Sequence, residues 1–176
     1  MDEAFIKKVQ PNSPEAEQSV IGAMIMDRDA IADVIDIVNA DDFYQKQNGI
    51  LFEAMTELYR EGKPVDLVTL QNKLKKKDVP ESMKSIEFIR DLLEVVPTSA
   101  NAKQYAPIVR EKATLRKLIK VTEDITTECY LGKDDVTEIL DHTEKNVFGL
   151  LQQASGREEF VPIDKVVLNT LDAIEE

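Results

Sequence analysis

The chain has 176 residues, 43% hydrophobic and 32% charged, with 6 glycines and 7 prolines. That is room for one ordinary domain plus an appendage, and so few breakers favour helices over a turn-rich β architecture. A formal net charge of −12 argues against a strong grip on duplex phosphates, which needs Lys and Arg to displace counterions.

Residues 1–12 form a mixed-charge, flexible arm. Met1-Asp2-Glu3 is acidic where a signal peptide would be basic, no apolar run approaches a membrane span, and the lone Cys129 excludes an intrachain disulfide. The chain is therefore expected in the cytoplasm. Asn12-Ser13-Pro14-Glu15-Ala16-Glu17 predicts a helix start: Ser13 as cap, Pro14 at the first position, and two glutamates at the positive dipole end. Val20, Ile21, Ala23, Met24 and Ile25 give that helix a broad apolar face. A second helix follows Asp29 through Ile31, Val34, Ile35 and Val38. Asp41-Asp42-Phe43-Tyr44 predicts a corner, and Ile50, Leu51, Ala54 and Leu58 mark a third helix that stops at Glu61-Gly62-Lys63-Pro64. Asp66 caps a fourth helix with Leu67, Leu70 and Leu74; its run Lys73-Leu74-Lys75-Lys76-Lys77 suits a helix C-terminus better than a nucleic-acid grip. Ser85 opens a fifth, with Ile86, Ile89, Leu92 and Leu93, and Ser99 is the cap expected after the break at Pro97.

From residue 100 to 130 the helical pattern is nearly continuous, with Pro107 expected to kink or restart it. Leu115, Leu118, Thr122, Ile125 and Cys129 form one stripe. After a turn at Leu131-Gly132-Lys133-Asp134-Asp135, a second long helix carries Val136, Ile139, Leu140, Thr143, Val147, Leu150 and Leu151 on one side. Two single-striped arms joined by a short loop predict an antiparallel hairpin. Ile119, Val121 and Tyr130 fall off the stripe, so either the globular half or a partner covers them. Residues 155–162 form a linker. Asp164 caps a last helix with Val166, Val167, Leu168, Leu171 and Ile174, which either folds back or docks on another partner. The expected domains are thus 1–12, a globular helical bundle over 13–106, the hairpin over 107–154, the linker over 155–162 and the linker helix over 163–176, an all-α architecture.

Catalytic signatures are missing: no phosphate loop, no Gly-rich dinucleotide motif, and one histidine, His142, with one cysteine, too few for a zinc cluster. No catalytic, cofactor or metal residue is assigned. Glu123, Asp124 and Glu128 load negative charge toward the wrong end of their helix, which predicts an acidic tip able to meet a basic partner.

Pro11-Asn12-Ser13-Pro14-Glu15-Ala16-Glu17-Gln18-Ser19-Val20-Ile21-Gly22-Ala23-Met24 resembles the opening of bacterial DnaB-type replicative helicases. Asp41-Asp42-Phe43-Tyr44 resembles their corner, with Gln47-Asn48 where histidine is common. Ile50 to Met55, Gly62 to Leu70, Pro97 to Ala106 and Ile108 to Lys112 fit in order, so the resemblance covers nearly the whole chain. It implies the N-terminal helical domain and linker helix of such a helicase. The RecA-like motor, with its ATP and Mg, then lies outside this sequence. It further implies that the hairpin pairs subunits into a collar of dimers within a hexamer, and that the collar receives the C-terminal helicase-binding domain of primase. A helicase loader could share that surface. The candidate partner anchors are Ile119, Val121, Ile125, whose place on the stripe fits seam packing better, and Phe88, which fits the core equally well, with Glu123, Asp124 and Glu128 at the rim; the candidate dimer contacts are Leu115, Leu118, Ile139, Leu140, Val147 and Leu150. The other readings are a stand-alone acidic interaction regulator and a DNA-binding domain, which the net charge disfavours but leaves open for single strands.

Overall fold

The computed structural model describes residues 9–94, 102–133 and 135–154. Among these the chain is all-α, with no strand. The expected residues 1–8 of the arm, the Ser99 cap, the linker and the linker helix lie outside the described residues. In order come α1 (Pro14–Met26), α2 (Arg28–Ile35), a 3-10 turn (Ala40–Asp42), α3 (Lys46–Arg60), α4 (Leu67–Lys75), a second 3-10 turn (Glu81–Lys84), α5 (Ile86–Glu94), α6 (Ala102–Leu131) and α7 (Val136–Ala154). The fold divides into two compact units, residues 1–127 and 128–176.

Local chemistry sets most boundaries in the first unit. Ser13 Oγ accepts from the Ala16 amide, with Pro14 at the first helical position, as expected. The second helix starts two residues earlier than its sequence suggests, because Asp27 caps it by accepting from the Asp29 amide at 2.9 Å. Asp66 and Thr69 form a reciprocal capping box on α4, and Ser85 Oγ accepts from the Phe88 amide at 3.1 Å. The helix start that breaks the pattern is α3, whose cap residue Gln45 makes no side-chain bond.

The chain entering α3 is held instead from another helix. Glu17 of α1, 1% exposed, accepts from the amides of Tyr44 (2.7 Å) and Gln45 (3.2 Å) and from Asn48 Nδ2 (3.0 Å). A carboxylate placed at this positive helix end satisfies donors that the local sequence leaves open. Beyond it, α3 passes so close to the first 3-10 turn that a Cβ on Gly49 would sit 2.5 Å from the Ala40 carbonyl oxygen. Ile21, Met24, Ile31, Leu51, Met55, Leu70, Leu74, Met83 and Ile89 fill the core between α1–α5.

The lysine run has a more specific role than complementing a helix dipole. Lys73 bridges Glu57 (2.8 Å) and Glu61 (2.6 Å), and Lys77 bridges Glu53 and Glu57, each at 2.7 Å, so α4 is clamped to α3 by charge. The two lysines hold Glu57 below its ordinary value. Lys63 and Lys73 draw the Glu61 carboxyl down to about 2.

α6 runs through Pro107 as one helix. The proline lies in its second turn and forfeits a single intrahelical bond. Ala102, Ala106, Val109 and Ala113 make a small buried face, and three cations pin the helix to the loops beside it. Arg110 Nη1 donates to the Ile37 carbonyl (2.7 Å). Arg116 donates to the carbonyls of Pro11 (2.7 Å) and Asp42 (2.6 Å), and Lys117 pairs with the buried Asp42 carboxylate (2.7 Å).

The second unit holds the end of α6, the turn and α7. Gly132, at φ +54, supplies the left-handed residue that ends α6, and its amide donates to the Glu128 carbonyl at 3.1 Å. Asp135 caps α7 through the Val136 amide at 2.8 Å.

Candidate functional site

Two faces of the long helices carry apolar residues that the chain leaves uncovered. On α7, Ile139, Thr143 and Leu150 are half-buried. At about 100° per residue, Val136, Leu140, Val147 and Leu151 lie roughly 70° round the same helix. They are 69%, 63%, 37% and 58% exposed. The single stripe expected from the sequence is thus a broad face of which half is covered. Phe148, 58% exposed, stands further round and has no periodic signal that would have singled it out.

α6 repeats the pattern. Val121, Ile125 and Glu128 are half-buried, while Leu115, Leu118, Thr122 and Cys129, roughly 80° away, are exposed. The stripe predicted as a seam therefore divides, with Ile125 on the covered side and Leu115 and Leu118 facing out. Of the residues expected off the stripe, Ile119 and Val121 are half-buried and Tyr130 is 88% exposed. Phe88 is half-buried and packs against the core of the first unit. Glu123 and Asp124 are exposed.

Around the turn, Glu128 meets α7. Its Oε1 lies 3.5 Å from His142 Nδ1, and a groove there is lined by Glu128, Glu138, Ile139, Asp141, His142 and Lys145. The sequence alone puts Glu128, Glu138 and Asp141 near one turn; Ile139, His142 and Lys145 join them only in the folded chain. No group of three or more His, Cys, Asp or Glu side chains among the described residues has metal-binding geometry. No helix among them is long and apolar enough to cross a membrane.

The described residues thus define an all-α protein whose two long helices leave apolar faces uncovered. The comparisons with known proteins give it a family. Residues 9–111 match the model for the DnaB-like helicase N terminal domain, and the chain belongs to that family. It is 34% identical over 176 residues to the replicative DNA helicase DnaB of Geobacillus stearothermophilus, covering 99% of this chain and 38% of that protein. It is likewise 34% identical to the Bacillus subtilis (strain 168) replicative DNA helicase DnaC, across 100% of this chain and 38% of that one. The chain thus spans less than two fifths of these helicases. Among solved structures, the N-terminal domain of DnaB helicase from Mycobacterium tuberculosis superposes with a TM-score of 0.76 at 34% identity, covering 80% of this chain and 99% of that one. The N-terminal domain of Helicobacter pylori DnaB, described together with its interactions with primase, shares the fold at a TM-score of 0.58 and 23% identity, over 74% of this chain and 99% of that one.

Proposed function

We propose that the chain is the non-catalytic assembly and primase-docking module of a hexameric replicative helicase, whose ATP- and Mg-dependent unwinding belongs to a motor outside this sequence. The observation that carries this reading is the uncovered apolar surface of α6 and α7. Leucines exposed on a fixed helix face are costly to leave in water, and covering each contributes about 1 kcal/mol. A second copy offers the matching surface, so Leu115 and Leu118 on α6 and, on α7, Leu140 and Val147 with the half-buried Ile139 and Leu150 are the contacts between subunits. Ile119, Val121, Ile125 and Phe88 are the apolar anchors for the primase C-terminal helicase-binding domain, with Glu123, Asp124 and Glu128 at its charged rim. The same surface is open to a helicase loader. The membership in the DnaB N-terminal family and the primase interactions described for its structural neighbours support this assignment. Interfaces of this kind concentrate their energy in a few apolar anchors with charged rims.

The test is native mass spectrometry of the intact chain, alone and with a primase C-terminal domain. The expected result is a concentration-dependent dimer or larger assembly that takes up the primase domain in a fixed ratio. Leu118→Ser/Leu140→Ser shifts the chain toward monomer while leaving Tm within about 3 °C, because both side chains already face solvent. A chain that stays monomeric at every concentration and ignores the primase domain overturns the assignment.

A further inference from the structure

Arg116 ties the N-terminal arm to the long helix. Its Nη1 donates to the Pro11 carbonyl at 2.7 Å, its Nη2 donates to the Asp42 carbonyl at 2.6 Å, and its guanidinium lies 5.6 Å over the Tyr44 ring. Asn12 Nδ2 donates to the Gln10 carbonyl at 2.7 Å and closes a local turn. The arm is thus fixed beside residue 116 of α6, and the residues before Pro11 extend from that point.

An apolar track begins at the same place. Going round α6 from Arg116 in one direction, Ile119 stands at about 60°, Leu115 at about 100° and Leu118 at about 160°. Ile119 is half-buried, and Leu115 and Leu118 are 39% and 45% exposed. All of them lie within about 6 Å along the helix axis.

The segment upstream of the tether reads Met1-Asp2-Glu3-Ala4-Phe5-Ile6-Lys7-Lys8, with an apolar pair between acidic and basic residues. Phe5 is six residues from Pro11, a reach of about 20 Å for extended chain. The arc from Arg116 to Leu118, at a radius of about 5 Å, is about 14 Å. The pair therefore has enough chain to arrive over both leucines. A segment joined by so short a connection meets the track at an effective concentration on the order of millimolar. A separate molecule in dilute solution does not match that.

We propose that Phe5 and Ile6 seat on this track in their own copy, over Leu115 and Leu118, and that this strap gives way when a second copy takes the leucines. The inference rests on the subunit contacts proposed above and adds the regulation of that face. An unassembled chain keeps its leucines covered, and assembly has first to displace the arm.

The chain contains no tryptophan, so Phe5→Trp reports on the arm alone. The intact Phe5→Trp chain is diluted until sedimentation shows a monomer, and a synthetic peptide of residues 1–12 with the same substitution is the uncovered reference. The chain should emit at shorter wavelength than the peptide and be quenched less by acrylamide. Leu115→Ser/Leu118→Ser should move both readings to those of the peptide. Val68→Ser, at a 58% exposed position on α4, should leave them in place. Phe5→Ser/Ile6→Ser should tighten self-association about tenfold, because an arm seated about two thirds of the time leaves each copy open for about one third, and both copies of a pair must be open. Emission equal to the peptide's, or unmoved by the leucine variant, overturns the inference. So does self-association that Phe5→Ser/Ile6→Ser leaves unchanged or weakens, since the arm is then no competitor. A blue shift that appears only as copies associate overturns it too, because the cover then comes from the second copy. A chain that stays monomeric at every concentration sinks the proposed function alone, and the emission still decides whether the arm covers the track.

Discussion

Replacing Glu17 tests whether a carboxylate from one helix holds the start of another. Glu17 is 1% exposed and its two oxygens accept from three donors, the amides of Tyr44 and Gln45 and the side chain of Asn48, at 2.7, 3.2 and 3.0 Å. A hydrogen bond to a charged group contributes about 1.5–3 kcal/mol net. The longest of the three counts for less, and deleting the charge also removes its own burial cost. Glu17→Ala should therefore cost about 3 kcal/mol, and Glu17→Gln, which keeps the shape but turns one acceptor into a donor, about 2 kcal/mol. Glu15→Gln, on the exposed side of the same first turn, keeps every buried partner and should cost about 0.5 kcal/mol or less. Urea unfolding followed by far-UV circular dichroism gives these differences directly, and a cycle with Asn48→Ala should return a coupling of about 1 kcal/mol. For a domain stabilised by about 5–15 kcal/mol in all, the alanine variant should lose a visible part of its folded baseline. If Glu17→Gln unfolds within about 0.5 kcal/mol of the parent, the three bonds are geometry without energy and the account of α3 is wrong.

Two more outcomes follow from the packing of α3. Gly49→Ala drives a Cβ to 2.5 Å from the Ala40 carbonyl oxygen, and because backbone cannot swing aside as a side chain can, it should destabilise by about 2 kcal/mol and lower Tm despite alanine's better helix propensity; an unchanged or higher Tm refutes the close approach. The α3–α4 clamp should show as a pH window. Glu57 and Glu61 are held below their ordinary 4.5, Glu61 at about 2 by Lys63 and Lys73, so their contribution is full above pH 4.5 and is lost as pH falls toward 2. Lys73 is raised by Glu57 and Glu61. Lys77 is raised too: burial opposes its charge, but Glu53 and Glu57 outweigh that. The lysine contribution is accordingly present below the ordinary 10.5 and fades as pH rises through the shifted values. The Tm gap between the parent and Lys73→Met should narrow from pH 4.5 to 2, and a gap independent of pH would remove the clamp.

The sequence disclosed what is local and periodic. Ser13, Asp66 and Ser85 announce their helices because each cap and its amide lie within three residues of one another, and the apolar spacing of α1 and α3 names their buried faces in advance. What it did not disclose depends on residues far apart in the chain. Glu17 looks like one of two dipole-compensating glutamates until Tyr44 and Asn48 are brought to it. Lys73 and Lys77 look like a helix end until Glu53, Glu57 and Glu61 come alongside. Arg116 and Lys117 look like surface charge until the carbonyls of Pro11 and Asp42 and the carboxylate of Asp42 claim them. The candidate interface follows the same division. Its residue types were legible, but which side of each stripe is covered was not, since Leu118 and Ile125, seven residues apart, lie only about 20° from each other round the helix, too close for periodicity to tell the exposed one from the covered one.

The bonds that Arg110, Arg116 and Lys117 make also bear on what the long helix can do for a partner. An apolar face supports recognition only if the helix beneath it is held in place, because ordering a loose helix at the moment of binding subtracts from the affinity gained. α6 is held at its base by two devices at once: the small buried face of Ala102, Ala106, Val109 and Ala113, and the bonds from Arg110, Arg116 and Lys117 to the loops beside it. Leu115 and Leu118 lie among these anchors in sequence, so their exposure of 39% and 45% belongs to a fixed surface. An exposed leucine on a frayed helix end is unremarkable. Two of them one turn apart, on a segment where the chain has committed three cations to holding the backbone still, are placed to meet another protein.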